Sequence, residues 1–188
     1  GILGPNGCGK TTTIGMVLGL LKPTKGKVLI NGKEIENHRV NLLNELNFIS
    51  PYIELPKKLT VRQNLEVYGR LYDVKKLKMK IEYLCEKLRL NEFLNKITGE
   101  LSSGQKNRVS LAKSIINDPS ILLLDEPTAS LDPETGDFVR SFLEEYQKEK
   151  KTSILLASHN MSEVERLCSS VLMMNRGSII DQGTPNEL

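Results

Sequence analysis

Eight residues near the start of the chain, Gly4-Pro5-Asn6-Gly7-Cys8-Gly9-Lys10-Thr11, carry the strongest chemical signal. Their spacing is G-x-x-x-x-G-K-[ST]. Glycines at those places let backbone N–H groups turn inward around an anion. A helix beginning there adds the partial positive charge of its N-terminus. Lys10 can span the β- and γ-phosphates of a nucleotide, and the Thr11 hydroxyl can sit on Mg2+. Thr12 and Thr13 extend the hydroxyl row toward the α- and β-phosphates. The loop therefore predicts a phosphate site for ATP or GTP, contacted by Asn6, Gly7, Cys8, Gly9, Lys10, Thr11 and Thr12. Cys8 is a passenger at a variable position.

A second signal is Ile121-Leu122-Leu123-Leu124-Asp125-Glu126. Four apolar residues in a row suit a strand buried on both faces. Mg2+ takes carboxylate and phosphate oxygens, so Asp125 suits its shell, directly or through water. Glu126 is placed one residue later, where a carboxylate can polarise an attacking water. A third is Leu101-Ser102-Ser103-Gly104-Gln105, in which Ser102 and Gln105 have capping-box spacing. It offers a hydroxyl, a glycine backbone and a helix start, all suited to an anion. It could meet a γ-phosphate only from a second subunit, or after a large rearrangement. The fourth is His159, which follows a buried strand and could donate to the γ-phosphate; a structural role competes. His38 lies in a polar stretch and receives no role.

These residues need a frame. The pattern predicts a helix from Lys10 to Leu20, weakened by Gly15 and Gly19. A turn at Lys22 to Gly26 leads to a strand at Val28 to Ile30, and Asn31-Gly32 is a hairpin signal. A strand over Asn47 to Ser50 stops at Pro51, and Pro56 keeps the next residues irregular. Leu59 to Leu71 reads as a cap and helix with Leu65, Tyr68 and Leu71 or Tyr72 on one face. Lys76 to Leu88 reads as another, with Ile81, Leu84, Cys85 and Leu88 together. After Ser102 a helix turns Val109, Ala112 and Ile116 inward until Asp118-Pro119. A helix from Pro133 to Tyr146 has a solvent-facing tail from Glu144 to Lys151. Then come a strand at Ile154 to Ala157, a short helix at Glu163 to Cys168, and a strand pair, Val171 to Met174 and Ser178 to Ile180, around Arg176-Gly177.

Alternating strands and helices predict an α/β fold: a P-loop NTPase core, its mostly parallel sheet flanked by helices. The helix-rich block over about 59–115 is expected to be a helical subdomain inserted in it. Ligands of such sheets sit at the carboxyl ends of the strands, where Glu126 and His159 fall. Gly1-Ile2-Leu3 leaves little room for the strand that precedes a phosphate loop, so the N-terminal strands are expected to be truncated.

At 188 residues the chain has the length of one domain and can bury a core without staples. A formal net charge of +3 permits anionic partners and implies none. The composition excludes a disordered chain. Cys8, Cys85 and Cys168 match no zinc spacing, and an odd number cannot all pair, which points to a reducing compartment. No stretch approaches the roughly 20 apolar residues that span a bilayer, and no signal peptide is visible.

Together the four signals resemble the nucleotide-binding domain of ATP-binding-cassette (ABC) ATPases, over nearly the whole chain. Leu101 to Gln105, followed by Lys106-Asn107-Arg108 and then Leu122 to Thr128, looks like that family's signature at its usual spacing. Ser103 stands where glycine is most often found. Ala129-Ser130-Leu131-Asp132 looks like the D-loop, and His159 like the switch histidine. The resemblance implies ATP and Mg2+ as ligands, with Thr11 and Asp125 on the metal and Glu126, His159 and Lys10 as catalytic residues. It implies a head-to-tail dimer, homo- or heteromeric, with ATP between the phosphate loop of one subunit and Ser102, Ser103, Gly104 and Gln105 of the other, near Asp132. It further implies a separate transmembrane permease and a peripheral place on the cytoplasmic face of the membrane, with no direct nucleic acid binding. The stretch from Leu59 to Val74 looks like that of bacterial export ATPases.

One departure stands out. The family usually ends the strand near Phe48-Ile49 with glutamine, and Ser50-Pro51 stands here. Gln63 lies too far along, and Tyr52 or Glu54 are the neighbouring groups left to replace it. Two rival readings follow: a soluble ABC protein acting in translation or on nucleic acid, and a weakly hydrolysing regulatory subunit.

Overall fold

The computed structural model describes residues 1–51 and 53–188. In chain order its elements begin with β1 (Ile2–Leu3), α1 (Lys10–Val17), β2 (Leu29–Ile30), β3 (Lys33–Glu34), α2 (Ile35–Glu45) and β4 (Leu46–Ile49). Then follow α3 (Val61–Leu71), α4 (Leu77–Lys87), α5 (Ser103–Ser114), β5 (Ile121–Asp125), α6 (Pro133–Lys150) and β6 (Ser153–Ser158). The last are α7 (Met161–Leu167), β7 (Val171–Asn175) and β8 (Ser178–Gly183). The main sheet runs β4-β5-β6-β1-β7-β8. Every pairing in it is parallel except the hairpin of β7 with β8.

Side-chain alternation along β5 explains why the sheet lies between two layers. Leu122 and Leu124 enter the apolar core on one face, and Leu123 enters the core on the other. All three are fully buried. On the Leu123 side, Ile14 and Leu18 of the α1 segment and Ile35 and Leu42 of α2 cover the sheet. On the other side lie Val61 and Leu65 of α3, Ile81 and Leu84 of α4, Val109 and Ala112 of α5, and Val139 and Leu143 of α6. The expected inward faces of α3, α4 and α5 are therefore the buried ones, with Tyr72 rather than Leu71 completing the face of α3, whereas the α6 tail expected in solvent buries Tyr146.

Element ends follow local chemistry. The first helix stops at Val17, short of the expected Leu20. Gly19 adopts φ +65°, its N–H reaches the Met16 carbonyl, and the Leu20 N–H reaches that of Gly15. That is a Schellman cap, which a left-handed glycine permits. Thr60 and Gln63 cap α3 reciprocally, as do Ser102 and Gln105 on α5. Helix α2 had no counterpart in the sequence reading. It buries only Ile35 and Leu42 and is interrupted at His38, so no sustained 3.6-residue apolar repeat announces it.

One half-buried cation joins α5 to the sheet. Lys113 Nζ donates to Asn47 Oδ1 at 3.1 Å, and it sits 4.7 Å and 5.2 Å from the ring centroids of Phe48 and Tyr68. The aromatic faces favour its charge, but burial dominates and pulls its pKa from 10.5 to about 8. Between those values the unfolded chain holds a proton that the folded chain has released, so stability rises with pH through that window. Comparing urea denaturation of wild type and Lys113→Met from pH 7 to pH 10 isolates the effect. The wild type is expected to gain on the variant as pH rises, and parallel pH curves would exclude it.

Candidate functional site

The register of the parallel strands builds the site. Leu3 pairs with Ser158 and Asp125 with Ala157, so β1, β5 and β6 end at one edge of the sheet. Beyond that level the Gly4 N–H bonds the Ser158 carbonyl at 3.3 Å, and the Glu126 N–H bonds the Ala157 carbonyl at 2.9 Å. The phosphate loop, the acidic pair and His159 emerge side by side.

The loop is held from outside by the β7–β8 hairpin. A Cβ at Gly4 would collide with the Met174 carbonyl oxygen and the Cys8 sulfur. The Gly177 N–H bonds the Cys8 carbonyl at 2.9 Å. In a trans peptide the carbonyl and the following N–H point opposite ways, so this bond aims the Gly9 N–H away from the hairpin. Gly9 sits at φ +113° and starts α1 with no side-chain cap and no acidic residue in the first turn. The N-terminal N–H groups and their partial charge are thus left to an anion.

Lys10 is buried and donates to the carbonyls of Gly4 at 2.6 Å and Pro5 at 3.3 Å. Its Nζ also stands 3.5 Å from Glu126 Oε1. Thr11 Oγ1 donates to Asp125 Oδ2 at 2.9 Å. Thr12 is exposed beside it. Thr13 instead turns its hydroxyl onto the Gly9 carbonyl at 3.0 Å, within its own helix. Glu126 adopts φ +50°, a left-handed conformation that costs a non-glycine residue about 1–3 kcal/mol. Its Oε2 lies 2.8 Å from His159 Nδ1, and its Oε1 accepts no hydrogen bond.

Asp125 is 1 % exposed, and its Oδ1 has no hydrogen-bond partner. Burial raises its pKa above the ordinary carboxylate value; the Thr11 hydrogen bond opposes this and the Glu126 charge adds to it. A Thr hydroxyl beside a buried carboxylate with an unpaired oxygen is a hard-oxygen set that fits Mg2+. Ser50 Oγ lies 3.4 Å from Asp125 Oδ2, so a hydroxyl reaches this carboxylate from the strand end where the family's glutamine was expected. Tyr52 lies outside the described residues. Glu54 pairs with Lys57 at 2.6 Å, which holds its carboxyl below the usual range, and Gln63 is spent on its helix cap.

Ser102, Ser103, Gly104 and Gln105 lie at the N-terminus of α5, with Ser102 and Ser103 exposed. Among the described residues, no hydrogen bond or ion pair ties them or Asp132 to the phosphate loop. Asp132 caps α6 through the Thr135 N–H at 2.9 Å, which lowers its pKa. A cavity of about 220 Å³ is lined by Ser103 and Asn107 together with Ser50 and Glu126. Three contributors escaped the sequence reading. Asn107 donates to the Pro127 carbonyl at 2.7 Å and ties α5 to the loop after Glu126. Gly177 braces the phosphate loop, and the buried Glu163 accepts the hydroxyl of Ser158, the residue before His159. All three are tertiary contacts without a short motif to reveal them.

Residues 1–129 match the ABC transporter family. The ABC transporter ATP-binding protein NatA of Bacillus subtilis (strain 168) is 35% identical over 191 residues, covering 100% of this chain and 77% of the relative. The Nod factor export ATP-binding protein I of Rhizobium johnstonii is 39% identical over 191 residues, and the chain spans 61% of its length. The solved structure of cbiO1 from Clostridium perfringens, part of the ABC transporter complex cbiONQ, has a TM-score of 0.84 at 32% identity. That match covers 99% of this chain and 76% of the other.

The raised pKa of Asp125 has a measurable consequence. Above the ordinary value of 3.8 the unfolded carboxyl has lost a proton that the folded one retains. Stability therefore falls as pH rises from there through the folded pKa, and the loss persists at neutral pH. Asp125→Asn, which removes the buried charge, is expected to raise the thermal midpoint of the nucleotide-free protein at pH 7. A lowered midpoint would show that the charge is compensated.

Proposed function

The chain belongs to the ABC transporter family, and from that premise we propose that it binds ATP and hydrolyses it with Mg2+ to power a membrane transporter. The observation that carries this reading is the single sheet edge at which Thr11 bonds Asp125 and Glu126 meets both Lys10 and His159. The names of the relatives support it, since both describe ATP-binding proteins, one of an ABC transporter and one for Nod factor export. The description of cbiO1 as part of a transporter complex supports a separate permease subunit. No helix among the described residues is long and apolar enough to cross a membrane, and we place the subunit peripherally on the cytoplasmic face.

The residues divide the work. The amides from Asn6 to Thr12 cradle the phosphates, and Lys10 neutralises charge developing on the γ-phosphate. Thr11 and Asp125 would hold Mg2+, which when bound would supply neutralisation of phosphate charge. Glu126 is the general base: it takes the proton of the attacking water and is steered by His159 on its other oxygen. His159 also orients the γ-phosphate. Ser102, Ser103, Gly104, Gln105 and Asp132 serve the nucleotide of a second subunit in a head-to-tail dimer. The exposure of Ser102, Ser103 and Asp132, with no bond among the described residues to their own phosphate loop, supports that arrangement. Residues of about 59–115 form a helical subdomain inserted in the core.

Steady-state ATPase of the full-length complex tests the assignment. Glu126→Gln is expected to lower kcat roughly a hundredfold or more while magnesium-dependent nucleotide affinity is retained. Unchanged turnover would sink the general-base role, and wild-type affinity indifferent to Mg2+ would sink the metal site.

A further inference from the structure

Glu163 is 1 % exposed and no step above uses it. Its two oxygens are both engaged by hydroxyls, one from the loop after Glu126 and one from the end of β6. Thr128 Oγ1 donates to Oε1 at 2.8 Å, and Ser158 Oγ donates to Oε2 at 2.6 Å. Ser158 Oγ in turn accepts the Asn160 N–H at 3.0 Å. That bond closes a Ser-turn over one residue, His159. Thr128 lies two residues after Glu126, in the loop whose Ala129 N–H returns to the Glu126 carbonyl at 3.1 Å.

We propose that Glu163 is a positioning residue which sets the Glu126–His159 contact by anchoring, at once, the loop behind Glu126 and the turn that carries His159. Its catalytic consequence rests on the reading given under Proposed function. The physical case is one of constraint. His159 is 54 % exposed, and its ring is not held by surrounding side-chain packing on every side. What remains to orient it is its backbone turn. That turn depends on the rotamer of Ser158, and the rotamer is fixed by a buried carboxylate that accepts its hydroxyl. Both oxygens of the buried carboxyl group are engaged, and buried networks of this sort rigidify what they join. The second oxygen of the same carboxylate holds Thr128, so the two partners of the 2.8 Å contact share one anchor.

Replacing Glu163 by glutamine keeps the shape but leaves one acceptor oxygen for two hydroxyl donors. Thr128→Val keeps the volume and removes one donor only. The chain has two histidines, so imidazole resonances in the full chain are readily assigned: His159 by its loss in His159→Ala, and His38 as the internal reference. In Glu163→Gln the His159 signals are expected to shift and broaden while those of His38 stay fixed. Thr128→Val is expected to move them in the same sense by less. With ATP, kcat of Glu163→Gln is expected to fall about tenfold, as for a small misplacement of a reacting group, with KM within about twofold of wild type. His159 resonances unmoved in either folded variant would overturn the proposal, and so would a fall in kcat matched by an equal rise in KM. The spectra need no turnover. An inactive wild type would therefore defeat the ATPase reading and leave this placement standing.

Discussion

A carboxylate at the end of a strand buried on both faces is the constraint from which the rest of the site follows. Leu122, Leu123 and Leu124 need apolar neighbours above and below the sheet, and the next residue, Asp125, inherits that burial with only a hydroxyl or two for company. Desolvation of a charge disfavours it strongly. The direction of the Asp125 pKa shift records that penalty, and the unpaired Oδ1 shows that the protein does not cancel it internally. A divalent cation would relieve both at once. The affinity of such a site therefore comes partly from discomfort built into the fold before the ligand arrives.

The same edge is made rigid by close approaches. Gly4 has no room for a side chain against Met174 and Cys8. The Gly177 N–H fixes the peptide that follows Cys8, and Glu126 is held in a left-handed conformation by hydrogen bonds on its own N–H and carbonyl. Donors and carboxylates fixed in this way do not have to reorganise as charge develops, which is where electrostatic preorganisation gains its advantage over water. Residues far apart in sequence contribute equally: the hairpin at Arg176-Gly177 braces the phosphate loop from the far end of the chain.

What could be read from sequence was what the local backbone encodes. The phosphate loop is a run of glycines before a lysine, and Asp125 and Glu126 close an apolar run; each signal is contained in six to eight consecutive letters. The capping boxes at Thr60 and Ser102 are equally local, and the structure has both. The functional sense of Ser102 to Gln105 came only with family resemblance, because a capped helix start has no chemistry of its own. Helix α2 escaped because its residues are mostly polar and it breaks at His38. Thr13 was assigned toward phosphate, yet a hydroxyl one turn into a helix finds the carbonyl four residues back before it finds a ligand. Asn107 acts across 20 residues, Gly177 through a backbone group that every residue owns, and Glu163 joins Thr128, 35 residues back, to the nearby Ser158; periodicity cannot express such contacts.

The two helix starts read above as ligand-facing share one electrical feature, which α3 and α4 have as well. Neither α1 nor α5 carries an acidic residue in its first turn, whereas α6 has Glu134 and α7 has Glu163. A carboxylate there would compete with any incoming anion for the terminal N–H groups. On α1 that free positive end is already enclosed by its own loop and by Lys10. On α5 it stands in water, where the same partial charge is heavily screened. Covering it with another surface would strengthen it without changing a single atom of α5. In the proposed head-to-tail dimer a site divided in this way would be weak while open and strong when closed, so that binding at one half would act on the position of the other.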